Sequence, residues 1–412
     1  MSKENSNITE DLRNLLCNYL TEFSVDEFIK EIEAENIADQ SVALEISQLD
    51  SSQVNYDIPK GIDKRMIVDR IATYCEKQLE EAKFYNLLLD LSQLMLFSGE
   101  NSYSLELAQD LFRKIEFKPE FNTILGETNL MISKIYWSQA FWDDCEFYIT
   151  EASRIFESIS SKSGIVKCEN MLGTLLGEKG EFDKARKHFE NALELIKDDD
   201  LSSQAMILTN LGIINTVNED FEKAVWNYKN ASEGFEELKD NRRLARVYHN
   251  LGMLYSQMKK YDDALDEFNK CITISKEMDY LSNCAVAYIG KAYIYIQQKN
   301  SALAEAYTDK AMEIAYKIDD TLSIADIYKI KGMIHNNMDN FQLSEEFFEN
   351  SIRLNKDTES KLNEAESSAE LGKLLKETDR EDEAKPYLES AVNFFNGLKN
   401  DNLLNGLVER SI

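Results

Sequence analysis

This sequence has little in it that bends or breaks a chain. It holds 3 prolines and 15 glycines in 412 residues, so helices can run through most of it without interruption. It has 3 histidines, too few and too scattered for a zinc site to be expected. Six cysteines, Cys17, Cys75, Cys145, Cys168, Cys271 and Cys284, include no Cys-x-x-Cys pair. They read as reduced core residues of a cytoplasmic protein. No apolar run approaches the roughly 18 residues that a membrane-spanning helix needs. The start, Met1-Ser2-Lys3-Glu4-Asn5-Ser6-Asn7, lacks an apolar core, so no signal peptide is expected. Positive charge is scarce as well: 46 Lys and Arg stand against 75 Asp and Glu, a formal net charge of -29. That balance argues against nucleic acid, whose phosphates demand a basic face, and against an anionic membrane surface. The excess acid reads as a solvated exterior.

What is present is a period. Gly173, Gly212, Gly252, Ala292, Gly332 and Gly372 stand 39, 40, 40, 40 and 40 residues apart. Two places after each of these anchors is an aliphatic residue: Leu175, Ile214, Leu254, Ile294, Ile334 and Leu374. Twelve places after is a small one: Ala185, Ala224, Ala264, Ala304, Ser344 and Ala384. Sixteen after come Phe189, Tyr228, Phe268, Thr308, Phe348 and Leu388, and nineteen after come Ala192, Ala231, Cys271, Ala311, Ser351 and Ala391. Val247, Leu251, Leu254 and Tyr255 fall on one helical stripe. Turn signals such as Lys179-Gly180-Glu181 and Asp339-Asn340 follow about seven residues after the anchor. The unit is therefore two antiparallel helices and a tight turn, with a small anchor that admits close approach of the second helix. The class is all-α, an α-solenoid.

Leu251-Gly252-x-x-Tyr255 followed by Ala264-x-x-x-Phe268, and Tyr228-x-x-Ala231, resemble the tetratricopeptide repeat. The usual repeat is about 34 residues long, and the longer period here is similar to the long-repeat subclass of spindle-orientation adaptors, kinesin light chains and bacterial regulators. The resemblance implies a right-handed superhelix of about seven or eight repeats. Ser133 takes the anchor place of a seventh copy, with Ile135, Tyr136, Trp142, Cys145 and Ala152 at the expected offsets. A degenerate eighth copy over roughly 80–117 places Leu94, Ala108 and Phe112 if its turn is longer. The expected organisation is an N-terminal helical segment at 1–62, a degenerate first repeat region at 63–117, the array at 118–397 and a capping helix at 398–412. Within the first segment, Ile8 to Leu20, Val25 to Ala34 and Val42 to Leu49 read as short helices. A helix from about 63 to 97, broken once, follows.

The resemblance also implies function. Such arrays bind protein or peptide segments in a concave face lined by the first helix of each repeat. The stripe there offers Lys167, Asn170 and Thr174 in one copy and Thr209, Asn210 and Ile213 in the next. Arg246, His249, Asn250, Met253 and Gln257 follow, then Tyr293. In peptide-binding relatives an asparagine two before the anchor clamps the ligand backbone, since its amide donates and accepts. Asn210 and Asn250 hold that place, and Lys167 and Arg246 hold one that suits acidic ligand side chains. Asp326 and Glu366 reverse the basic row further on. The expected partner is a protein or peptide segment, acidic and partly apolar. The alternative is a peptide-responsive bacterial regulator whose N-terminal helices act on a partner such as a response regulator. A DNA-reading helix is not expected, because residues 1–60 hold only Lys3, Arg13, Lys30 and Lys60 as basic groups.

Chemistry is not expected, nor a cofactor or metal. His188 lies beside a charged run and reads as solvated. His335 takes the slot of Tyr255 and Tyr295 and reads as packed, which leaves His249 as the histidine facing the groove. The run Gly173 to Gly180 lacks the Gly-Lys-Ser/Thr ending of a phosphate loop and follows no strand. No nucleophile, base and orienting group can be assembled from this sequence.

Overall fold

The computed structural model describes residues 12–21, 24–26, 64–196, 200–278, 280–318, 320–358 and 360–397. Contacts divide the chain into two compact units, Met1–Cys168 and Glu169–Ile412. The first contains α1 (Lys64–Gln78), α2 (Glu81–Phe97), α3 (Asn101–Ile115), α4 (Asn122–Ser138) and α5 (Trp142–Ser158). The division falls inside α6 (Lys162–Glu178). The second unit continues with α7 (Phe182–Leu195), α8 (Leu201–Val217), α9 (Phe221–Glu237), α10 (Asn241–Gln257), α11 (Tyr261–Glu277) and α12 (Leu281–Gln297). It ends with α13 (Ser301–Lys317), α14 (Thr321–Asn337), α15 (Phe341–Asp357), α16 (Lys361–Glu377) and α17 (Glu381–Gly397). Successive helices pair along the second unit, making an all-α solenoid with no strand among the described residues.

The period has a simple origin. From α8 onward each helix is 17 residues long and each link is three, so two helices and two links fill one 40-residue repeat. Each helix is thus about 25 Å long. The link inside a repeat closes in one way. Seven residues past each anchor the backbone turns left-handed, at Gly180, Glu219, Lys259, Lys299, Asp339 and Asp379. The next residue then donates its N–H five residues back, as Lys260 does to the Tyr255 carbonyl at 2.9 Å. That is the Schellman closure, which satisfies helix-end carbonyls. Several helices also start on a side-chain cap. Asp200, Asp240, Asn300 and Asp320 accept from the N–H three residues on.

The anchor does what its size implies. A Cβ built on Gly252 would lie 2.7 Å from the Phe268 ring, and one on Gly212 would lie 2.5 Å from Tyr228. Gly173 meets Phe189, Gly332 meets Phe348, and Gly372 meets Leu388 in the same way. The residue sixteen places on therefore lies flat on bare backbone. In the one copy with Ala292 as anchor, that residue shrinks to Thr308. The small slots at twelve and nineteen are buried throughout, and where serine replaces alanine its hydroxyl finds a carbonyl. Ser344 donates to Gly332 at 2.8 Å and Ser351 to Ala325 at 2.7 Å. The stripe of Val247, Leu251, Leu254 and Tyr255 is buried, as the sequence implied.

The first unit departs from expectation in the turn of its degenerate copy. The degenerate copy needs no longer turn: α2 and α3 are joined by three residues, and Gly99 takes the left-handed place. Counting back seven makes Ser92 the anchor and Ser104 its partner twelve on. The Ser104 hydroxyl donates to the Ser92 carbonyl at 2.7 Å, the same bond that Ser344 makes to Gly332. The sequence pattern placed this copy and its Leu94 but set the second helix four residues late, on Ala108, because the small slot at Ser104 is a serine. The expected break in the 63–97 helix falls at Leu79–Glu80. Leu12, Leu16 and Val25 are buried in one cluster with Val68, Ile71, Leu87 and Leu91. The remainder of the expected N-terminal helices, and the expected cap at 398–412, lie outside the described residues. Five cysteines are buried, whereas Cys17 is exposed rather than in the core.

Gly252→Ala is expected to destabilise the array by about 1–3 kcal/mol through overpacking against Phe268. Phe268→Thr should itself cost about 3 kcal/mol or more by opening a cavity. The double variant recreates the Ala292–Thr308 pair, so its cost in denaturant titration should fall at least about 1 kcal/mol below the sum of the singles. Simple additivity would show that the ring and the anchor do not set each other's size.

Candidate peptide-binding face

In the second unit the sequence-predicted residues stand on the first helices of successive repeats, α6, α8, α10 and α12. Ile213 and Met253 are 42% and 41% exposed, unusual for such side chains inside a packed stack. Gln257 is exposed, and Thr174, Thr209 and Tyr293 are half-buried. The threonines are less available than their exposure suggests. Thr174 donates to the Asn170 carbonyl at 2.9 Å and Thr209 to the Ala205 carbonyl at 2.8 Å. Each keeps only acceptor capacity for a ligand.

The asparagines divide into two kinds. Asn210 donates its amide to the Asn170 side-chain carbonyl at 2.9 Å, linking α6 to α8. Asn250, half-buried on α10, makes no side-chain hydrogen bond among the described residues. Its amide is the one in this row that a ligand backbone could take up without displacing another bond. In the next copy the same place is Gly290, whose backbone faces Phe268; a Cβ there would lie 2.4 Å from that ring.

The cations divide likewise. Lys167, in the first unit, is ion-paired with Glu127. Lys329 lies 2.6 Å from Glu366 and 3.3 Å from Asp326. Burial alone would lower its pKa, and the two carboxylates more than reverse that. Asp326 is raised by burial, opposed by Lys329. The acidic residues that reverse the basic row are thus counter-ions to a lysine on the same face. Further on, Lys373 pairs with Glu370 at 3.1 Å, and Asn336 donates to Glu377 at 3.2 Å.

Arg246 is different. It is exposed and has no hydrogen bond or ion pair among the described residues. Its pKa is held below the ordinary value by partial desolvation and by the neighbouring charges of Arg242 and Arg243. Arg243 has a partner in Asp240 at 2.7 Å, and Arg242 lies 5.5 Å from the Tyr280 ring. One turn from Arg246, the His249 ring tilts against Phe268 at 5.7 Å, and its buried Nδ1 has no partner among the described residues. Burial, and then Arg246, lowers its pKa from 6.5 to about 4. So α10 presents a charged guanidinium and an open amide beside an exposed methionine, whereas the His249 ring, expected to face the groove, is packed on Phe268 of the partner helix. This set can hold an anionic or carbonyl oxygen and an apolar side chain.

The other histidines settle differently from each other. His335 stacks on Phe347 at 5.3 Å, the packed role expected of it. His188 is not simply solvated: its Nδ1 lies 3.0 Å from Glu169. Among the described residues no group of three His, Cys, Asp or Glu could hold a metal ion. No described helix is long and apolar enough to cross a membrane.

Helix pairs of constant length, stacked in register around small anchors, define a helical-repeat array. Family models described as tetratricopeptide repeat match residues 170–199, 203–277, 285–317 and 325–358. Over those residues the chain is a tetratricopeptide-repeat array, an architecture that supports a role as a protein-interaction scaffold or regulator. It is 32% identical over 104 residues to the anaphase-promoting complex subunit CDC16 of Saccharomyces cerevisiae. That match covers 25% of this chain and only 12% of the relative. A Rap protein complexed with competence and sporulation factor is similar in fold, with a TM-score of 0.59 and 14% identity, over 81% of this chain and 92% of that one. The Rap conjugation regulator of plasmid pLS20, in complex with the Phr* peptide, has a TM-score of 0.56 and 12% identity, over 82% and 97%.

The buried imidazole makes a pH prediction. A histidine whose pKa falls on folding binds its proton more readily in the unfolded chain. Its contribution to stability is therefore complete above about pH 6.5 and is lost as pH falls toward about 4. Urea midpoints measured from about pH 7 down to about pH 4.5 should fall more steeply for wild type than for His249→Leu. Equal slopes would mean that another group titrates.

Proposed function

We propose that this protein binds a peptide or protein segment on the exposed stripe of α8, α10 and α12, and acts as an adaptor without chemistry of its own. The observation that carries this reading is Arg246, a cation with no ion pair among the described residues in a chain of net charge -29. Nearby acidic residues neutralise Lys329 and Lys373, while Arg246 stands among further arginines. An acidic ligand side chain would relieve that repulsion. Asn250 would take the ligand backbone, and Ile213 and Met253 would cover its apolar side chains. The solved Rap regulator with the Phr* peptide supports a peptide ligand by analogy of fold.

A second reading is a peptide-responsive regulator whose N-terminal helices act on a partner such as a response regulator. Its support is that Leu12, Leu16 and Val25, among the few described residues before α1, pack into the core of the first unit.

A displayed library of random short peptides, selected on the full chain, tests the first reading. Enriched sequences should combine Asp or Glu with apolar residues. Arg246→Glu with Asn250→Ala should weaken their binding at least about tenfold, roughly 1.4 kcal/mol, with helicity and melting unchanged. Undiminished affinity would place the ligand elsewhere.

A further inference from the structure

Helices α11, α12 and α13 hold a cation that the repeat does not call for. The place just before each anchor belongs to the inward stripe. It is Leu172, Leu211, Leu251 and Leu371 in four copies, but Lys291 and Lys331 in two. Lys331 has a counter-ion, with Asp309 Oδ1 at 2.9 Å from its Nζ. One repeat upstream the residue in Asp309's place is Asn269. Lys291 Nζ reaches the Asn269 side-chain carbonyl at 2.7 Å. The same bond is made in both copies, but in this one the partner is neutral. Lys291 is 6% exposed and has no ion pair among the described residues. Burying an ammonium beside neutral groups costs free energy that a bound anion would offset.

More cations gather at the same place. Lys291 Nζ lies 4.3 Å from the Tyr307 ring centroid, and Lys310 Nζ lies 5.7 Å from it. Lys310 and Lys276 lie 5.8 and 5.6 Å from the Tyr288 ring. The Tyr288 and Tyr307 rings stack with centroids 6.0 Å apart, and Tyr295 stacks on Tyr307 at 5.4 Å. Neither Lys276 nor Lys310 has an ion pair among the described residues. Three ammonium groups around two stacked phenols, in a strongly acidic protein, form a local positive site.

We propose that this cluster binds a phosphoryl dianion, with Lys291 as its buried anchor and Lys276 and Lys310 at its rim. Lysines act as point charges suited to a tetrahedral multiply charged group, whereas a planar carboxylate is matched by an arginine fork, which the cluster lacks. The group could arrive as free phosphate or as a phosphate monoester. The stacked tyrosines offer an aryl phosphate additional surface.

The test is calorimetric titration of the full chain with inorganic phosphate and, separately, with phenyl phosphate at low ionic strength. Saturable binding of at least one is expected. Asn269→Asp supplies Lys291 with the internal carboxylate that Lys331 already has, and should weaken binding at least about tenfold with melting preserved or raised. Lys291→Leu restores the repeat's usual residue and should do the same. Tighter binding of phenyl phosphate would identify a phosphate monoester as the source, and equal affinities free phosphate. Absence of saturable binding by either probe, or unchanged affinity in Asn269→Asp, would overturn the proposal.

Discussion

The array depends on one contact, an aromatic face laid on the bare backbone of the facing helix. Five anchors are glycines, and in four of those copies the covering side chain is a ring. Separation of the two helices is then set by the thickness of that ring. Once they are that close, the slots at twelve and nineteen can hold only small residues, and every copy obeys. Ala292 with Thr308 shows that the pair of sizes is constrained rather than either residue alone.

Because the inward stripe is so constrained, differences between copies fall on the outward stripe and on the few inward places that tolerate exchange. Toward its C-terminal end the outward stripe is closed upon itself by ion pairs, with Lys329 held between Asp326 and Glu366. On α10 Arg246 and Asn250 have no side-chain partner among the described residues. A repeat architecture makes such asymmetry easy to produce, since each unit needs to match only its neighbours.

Most of the fold was legible in the sequence. A buried small residue has few substitutes, so its 40-residue recurrence survives in a single chain. The first copy was legible only in degenerate form, with its second helix out of register, because Ser92 and Ser104 solve the same packing problem with a hydrogen bond and serine carries no apolar signal. The site was legible as a list of positions but not as a set of available groups. Asn210 read as a ligand clamp, yet its amide is bonded to Asn170 of the preceding repeat, 40 residues back. Lys167 read as a ligand cation, yet Glu127 holds it. Partnership between repeats depends on side-chain reach, which periodicity does not encode. For the same reason Lys291 and Lys331 look alike in sequence until the residues 22 places before them are compared.

The left-handed residues at the links have a consequence of their own. Eight of these positions carry side chains, Ala140, Ser160, Glu219, Lys239, Lys259, Lys299, Asp339 and Asp379. Each costs on the order of 1 kcal/mol relative to glycine. The cost is concentrated at the joints, while the helices themselves are regular and well packed. Thermal breathing should therefore begin as a loosening at the corners, with intact rods shifting against one another before any rod frays in its middle. An array jointed in this way yields first at its corners and last within its rods.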